Sequence, residues 1–279
     1  MSALDVGQAR VEALFRYPVK SMLGEKITTT AVDERGLVGD RAYALVDQET
    51  GKVVSAKNPR QWAGLFEWHA AYLDEPTPGA DRPPVRITLP GGERVESDDP
   101  NVHESLSRAL GRPVRLETIP PENAVIEVHA PEGGQITDEP IAIVAPGTFF
   151  DAAPLHLVTT ATLARLRQLA PATNFATARF RPNVLVAVDV EPGFVENDWV
   201  SHTLNLGGEV SASVFLAAPR CVMTTLAQPE LPRDRAVLQT IARHNRLDIP
   251  GLGPSSCVGV YALITTGGAL RTDDRVAIA

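Results

Sequence analysis

Short apolar runs, each closed by glycine or proline, limit what this chain can fold into. The 279 residues contain 21 glycines and 23 prolines, and few apolar stretches between them are long enough for a substantial helix. Val11-Glu12-Ala13-Leu14-Phe15 alternates before Tyr17-Pro18. Residues 41–47 read as a strand that closes on the turn Gln48-Glu49-Thr50-Gly51. Residues 85–89 and 94–96 flank Pro90-Gly91-Gly92, a hairpin signal. Residues 204–206 and 210–215 read as a second hairpin around Gly207-Gly208, and 258–265 with 276–278 as a last one. Branched residues mark 184–188 as a buried strand. Helical spacing is confined to 101–111, 160–169 and 232–244, the last with Pro232 near its start. The pattern predicts a mainly β fold with a few helices (α+β), of the barrel or sandwich kind.

The length suits one large or two small domains. Pro120-Pro121 gives a seam between residues 1–122 and 123–279. No run of 18 apolar residues occurs, so no membrane partner is expected. Residues 1–8 lack a basic stretch followed by an apolar one, so no signal peptide is expected. Two cysteines make no disulfide framework, and a reducing cytoplasm is the expected setting. They also argue against a structural zinc site. The net charge of −8 argues against broad nucleic-acid binding.

Cys221 draws attention through its surroundings. It follows the apolar stretch 214–218 and stands in Pro219-Arg220-Cys221. Taken alone it reads as a packing residue, as most free cysteines are. A thiolate beside a fixed cation would suit a soft metal or a nucleophilic mechanism. Three other segments also set a cation beside a constrained backbone: Tyr17-Pro18-Val19-Lys20-Ser21, Gly36-Leu37-Val38-Gly39-Asp40-Arg41, and Phe180-Arg181-Pro182-Asn183. Guanidinium groups suit bidentate recognition of phosphate or carboxylate. Singly, each segment reads as structural. Together they would form a pocket for an anionic cofactor or substrate.

In this order the segments resemble the molybdenum cofactor sulfurase C-terminal (MOSC) proteins that carry a MOSC N-terminal β-barrel domain. The N-terminal match is Tyr17 to Ser21, Gly24, then Gly36-Leu37-x-Gly39-Asp40-Arg41. The remainder is His156-Leu157-Val158-Thr159-Thr160, Arg179-Phe180-Arg181-Pro182-Asn183 and Arg220-Cys221-x-x-Thr224-Thr225. Within the family the chain is similar to the mitochondrial amidoxime-reducing component and to bacterial reductases of N-hydroxylated bases. The resemblance implies two β-barrel-like domains with a cleft between them for a molybdenum–molybdopterin cofactor. It implies Cys221 as the catalytic residue and metal ligand. Lys20, Ser21, Arg41, Thr159, Thr160, Arg181, Asn183 and Arg220 would bind the cofactor.

The implied chemistry is two-electron reduction of an N–OH or N-oxide group on a small molecule. Some relatives carry a four-cysteine iron–sulfur domain. Here Cys257, read as a core residue, is the only other cysteine, so separate electron-transfer proteins are expected as partners. An acidic outer surface would steer such a partner. Asp40, Asp189 and His156 are proton-donor candidates by type, although His156 reads as core between two leucines, and Asp47 and Asp189 as turn-formers. Trp62, Trp68 and Trp199 read as core, and residues 60–66 and 228–235 as the pocket's outer wall. Two other functions remain open: a sulfur carrier with a Cys221 persulfide, and a non-catalytic binding module.

Overall fold

Seven strands pair edge to edge into a closed ring in the computed structural model, which describes residues 8–129, 136–140 and 148–279. They are β1 (Ala9–Arg16), β2 (Leu155–Thr159), β3 (Val184–Ala187), β4 (Thr203–Leu206), β5 (Val210–Pro219), β6 (Gly253–Thr266) and β7 (Arg275–Ile278). The ring order is β2-β3-β1-β7-β4-β5-β6, and β6 returns to β2. All neighbours run antiparallel except β2 and β3, between which helix Thr160–Leu169 carries the chain back. Alternation fills the interior: Val11, Leu14, Leu157, Val186, Leu206, Val214, Val260 and Val276 are buried together with Trp199. A small barrel has room only for such side chains. A register shift between Val11 and Ala13 puts both Val11 and Leu14, three residues apart, into the barrel interior.

A second core lies under residues 19–116. Three-stranded and two-stranded sheets (His69–Tyr72, Val85–Thr88 and Arg94–Glu96; Ala44–Asp47 and Val114–Glu117) pack with helix Val102–Leu110 around Trp62, Leu65, Trp68, Ile87 and Leu106. Gly111, at φ 66°, ends that helix in a left-handed cap. Arg16 joins the two cores. It is 1% exposed, and it binds Glu25 at 2.7 Å and both oxygens of Glu75 at 2.7 and 2.9 Å. This pins the proline-rich loop 74–84 to the end of β1.

Strand β1 lies before Pro120-Pro121 in sequence, yet it completes the barrel made by residues 155–278. Two expectations need correction. Residues 258–265 and 276–278 do not form a hairpin. The chain leaves β6 through Gly268–Arg271, which pairs with Thr29–Asp33, before β7 joins β1 and β4. The last helix is Ala236–His244, starting after Pro232. Asp234 sets the start by accepting the Ala236 N–H at 2.8 Å, while the Pro232 carbonyl is taken by Arg179.

Gly259 sits inside β6 at φ 81°. A Cβ there would lie 2.4 Å from the Leu157 carbonyl and 2.5 Å from His156 Nε2. Gly259→Ala is expected to cost roughly 2–4 kcal/mol, from left-handed strain plus overpacking. A lowered denaturant midpoint at unchanged slope would register it; an unchanged midpoint would contradict this packing.

Candidate functional site

Cys221 stands where β5 gives way to a single 3-10 turn, Val222–Thr225. The motif Arg220-Cys221-x-x-Thr224-Thr225 builds that turn. Thr224 Oγ1 donates to the Cys221 carbonyl at 3.0 Å, and Thr225 Oγ1 to the Val222 carbonyl at 2.7 Å. The Arg220 N–H ties the strand end to the Ser256 carbonyl at 2.7 Å. From below, Arg179, 1% exposed, donates to the carbonyls of Asn174, Thr224, Leu226 and Pro232. The turn is held from both sides, and the Cys221 thiol is left free and half-buried.

Three of the four segments meet at Tyr17. Its ring is covered by the Arg181 guanidinium at 4.2 Å and the Arg41 guanidinium at 4.4 Å. Burial pushes the Tyr17 pKa up to about 12, against the pull of Arg181 and Arg41. Burial, with Arg41 nearby, lowers Arg181 to about 10. Asp40 locks the junction. It accepts from the Tyr17 N–H at 2.7 Å, from Asn183 Nδ2 at 2.9 Å, and from Arg41. Asn183 Oδ1 in turn accepts the His156 N–H at 3.2 Å. The fourth segment joins through Arg220, whose Nη2 donates to the Phe180 carbonyl at 2.8 Å.

Ser21, Arg41 and Arg181 all have positive φ, at 65°, 45° and 54°. Left-handed backbone at a non-glycine residue costs about 1–2 kcal/mol and tends to persist at functional sites. Here it sets side chains from three separate loops into one space. Lys20, Ser21, Arg41, Arg181, Asn183, Arg220 and Cys221 all line a cleft of about 360 Å³. Two of the expected residues lie elsewhere. Thr159 caps helix Thr160–Leu169 and donates to buried Glu196 at 2.7 Å. Thr160 accepts the Val188 N–H at 3.2 Å. Burial raises the Glu196 pKa despite the hydroxyls of Thr159 and Thr162.

Sequence reasoning missed Lys57, Asp151 and Tyr261, which line the same cleft. Asp151 Oδ1 takes the Lys20 ammonium at 2.5 Å and lies 3.5 Å from Lys57 Nζ. Burial works against its charge, yet the two lysines hold Asp151 well below the usual carboxylate range. Burial lowers Lys20, which also donates to the Phe149 carbonyl at 2.9 Å. For Lys57 burial is outweighed by Asp151, Cys221 and Tyr261, which raise its pKa. No motif flags these residues, because only the fold gathers them. The outer lining comes from Met223 and the exposed Leu252 rather than from 60–66 or 228–235. All three tryptophans and Cys257 are core, as read.

His156 belongs to both readings: it is buried between Leu155 and Leu157, and it lines the cleft. Burial first, then Arg220, pushes its pKa well below the usual value, so it is neutral. Arg181 Nη1 and Arg220 Nε are buried donors with no hydrogen-bond partner among the described residues. A buried donor left unpaired costs about 1–3 kcal/mol, so this wall is built to receive acceptors. Among the described residues no three His, Cys, Asp or Glu gather into a metal-binding group. The soft atoms in the lining are those of Cys221 and Met223. No helix in the described residues is long and apolar enough to cross a membrane.

Family comparison matches residues 8–98 to the MOSC N-terminal beta barrel domain and residues 145–277 to the MOSC domain. No curated protein matches the chain. Among solved structures it is similar to the YuaD protein from Bacillus subtilis, at 11% identity and TM-score 0.47, over 98% of this chain and 96% of that one. It is also similar to YiiM from Geobacillus stearothermophilus, at 13% identity and TM-score 0.31, over 46% of this chain and 54% of that one. With both domains matched in order around one cationic cleft, the chain belongs to the MOSC proteins that carry a MOSC N-terminal β-barrel domain.

Proposed function

We propose that the cleft holds a molybdenum–molybdopterin cofactor, and that the protein reduces N-hydroxylated or N-oxygenated small molecules with electrons from separate redox proteins. MOSC domains are associated with molybdenum cofactor sulfurase-like proteins. The observation that carries the reading is the pair of orphaned cationic donors, Arg181 Nη1 and Arg220 Nε, lining the same cleft as the free Cys221 thiol. That donor set fits a ligand with an anionic oxygen-rich end and a soft metal. Bound there, the cofactor would supply two-electron chemistry that removes oxygen from nitrogen.

The chain's own residues would bind and orient. Cys221 would ligate the metal. Arg41 and Arg181, fixed on the faces of Tyr17, would hold the phosphate without first losing rotamer freedom. Lys20 gives two of its three N–H groups to Asp151 and Phe149, so it would act mainly by charge and by holding the wall in place.

Protein expressed in a host that makes molybdopterin is expected to carry about one molybdenum per chain, measured by elemental mass spectrometry. A folded sample with no metal from such a host would overturn the reading. It would turn attention to Cys221 as a sulfur carrier, for which the sign is a persulfide mass increment on Cys221 after incubation with a desulfurase.

A further inference from the structure

Reduction of N–OH to N–H consumes two electrons and two protons and releases water. The cleft must therefore supply a proton where the oxygen leaves. The donors suggested by residue type do not meet this need. Asp40 is 2% exposed with both oxygens engaged by Tyr17, Arg41 and Asn183. Asp189 lies on an exposed stretch outside the cleft lining. His156 is neutral, and its Nε2 lies 3.3 Å from the Val258 carbonyl and 3.4 Å from Arg220 Nη1. Of the other groups in the lining, Asp151 is held ionised, the Lys20 ammonium donates to Phe149 and Asp151, the Lys57 ammonium lies 3.5 Å from Asp151 with its proton held more tightly by that carboxylate, and Glu139 is exposed.

Tyr261 differs from all of these. Strand pairing sets it opposite His156 on β2 and Leu216 on β5. Its ring is fixed against the His156 imidazole at 5.3 Å and 60°. It lines the cleft, and its hydroxyl makes no hydrogen bond to any described residue. Burial raises its pKa against the pull of Arg220 and Lys57, with Asp151 and Cys221 adding to the rise, so the hydroxyl holds its proton while two cations stand beside it. A rigid, uncommitted O–H among the cleft's charges is what a donor to a departing oxygen requires.

Resting on the reductase reading above, we propose that Tyr261 is a catalytic proton donor, giving its phenolic proton to the oxygen that leaves the substrate nitrogen. Two electrons arrive from a separate redox protein. The N–O bond breaks, and the oxygen departs as water with the Tyr261 proton. The nitrogen takes its proton from solvent, which also reprotonates the phenolate through the cleft mouth. Lys57 and Arg220 stabilise that transient phenolate.

The test is Tyr261→Phe in molybdenum-loaded protein with benzamidoxime as the N-hydroxylated probe. The expected result is a fall in kcat of about 100-fold, with KM and molybdenum per chain unchanged. A kcat equal to wild type, or a loss confined to KM or to metal content, would overturn the assignment. A second arm needs no turnover. N-acetylimidazole should acetylate Tyr261 ahead of the buried Tyr17 and Tyr43, and benzamidoxime should protect it, read by peptide mass spectrometry. Absence of labelling or of protection also overturns the proposal. Loaded wild-type protein that turns over no N–OH compound defeats the reductase reading and the donor role together. A failure confined to Tyr261→Phe leaves the reductase reading standing.

Discussion

Cys221→Ala protein from a molybdopterin-making host is expected to fold normally and to lose nearly all its molybdenum. The thiol is half-buried and packs into no core, so its removal opens no cavity comparable to a core deletion. The turn that presents it is built by Thr224, Thr225 and Arg179, all unaltered in the variant. The cationic wall also remains, so what disappears is the cysteine sulfur that a soft metal in the cleft would take as ligand. Losing a residue that merely supports a ligand costs about 10–100-fold in metal affinity, and losing the ligand itself should cost at least as much. Elemental analysis beside an unfolding midpoint separates the two effects. A variant with wild-type stability and a full complement of molybdenum would remove Cys221 from the metal.

Arg179→Met should be the most damaging single change to the fold near the site. The guanidinium is buried and forms no ion pair with a carboxylate among the described residues, and burial lowers its pKa, with Asp234 the opposing influence. Its charge is instead shared among four carbonyls, at 2.8 Å from Asn174 and Pro232 and 3.3 Å from Thr224 and Leu226. Methionine fills similar volume and donates nothing. A buried acceptor deprived of its donor costs about 1–3 kcal/mol, and four lose theirs together. A net loss of at least about 3 kcal/mol is expected, a large share of a typical folding free energy. Thermal unfolding would show it. A lysine in place of Arg179 should recover little, because three donors on a flexible stem do not reproduce a planar fork. A midpoint for Arg179→Met equal to wild type would refute the role given to this residue.

Much of the fold was legible because short-range physics decides it. The hairpin at Pro90-Gly91-Gly92, the helix ended by Gly111 and the buried strand at 184–187 follow from turn chemistry and side-chain alternation. The failures were long-range. Nothing in residues 258–278 says that Gly268–Arg271 pairs with Thr29–Asp33 rather than closing a local hairpin. The site divides the same way. Lys20, Arg41, Arg181 and Arg220 could be picked out because each stands beside a constrained backbone. Lys57, Asp151 and Tyr261 could not, because their neighbours in sequence are ordinary and only the folded barrel brings them to the cleft. Residue types also do not announce a left-handed φ at Ser21, Arg41 or Arg181, since surrounding contacts impose it. Thr159 and Thr160 show the converse: motif positions whose hydroxyls serve the frame, one capping a helix and the other holding the Val188 N–H just past β3.

The closure of the barrel has a consequence for how the protein is made. Strand β1 pairs with β7, and Arg10 reaches Asp273 across 263 residues of chain. A ribosome releases β1 long before that partner exists, so although Leu14–Arg16 can pair early with Glu25–Ile27, the start of the same edge at Ala9 and Arg10 waits unpaired through nearly the whole of synthesis. Such non-local pairing makes folding slow and leaves the nascent chain dependent on protection from aggregation. The cleft walls span residues 20 to 261. A ligand that needs all of these walls can therefore bind only once the chain has been made through Tyr261.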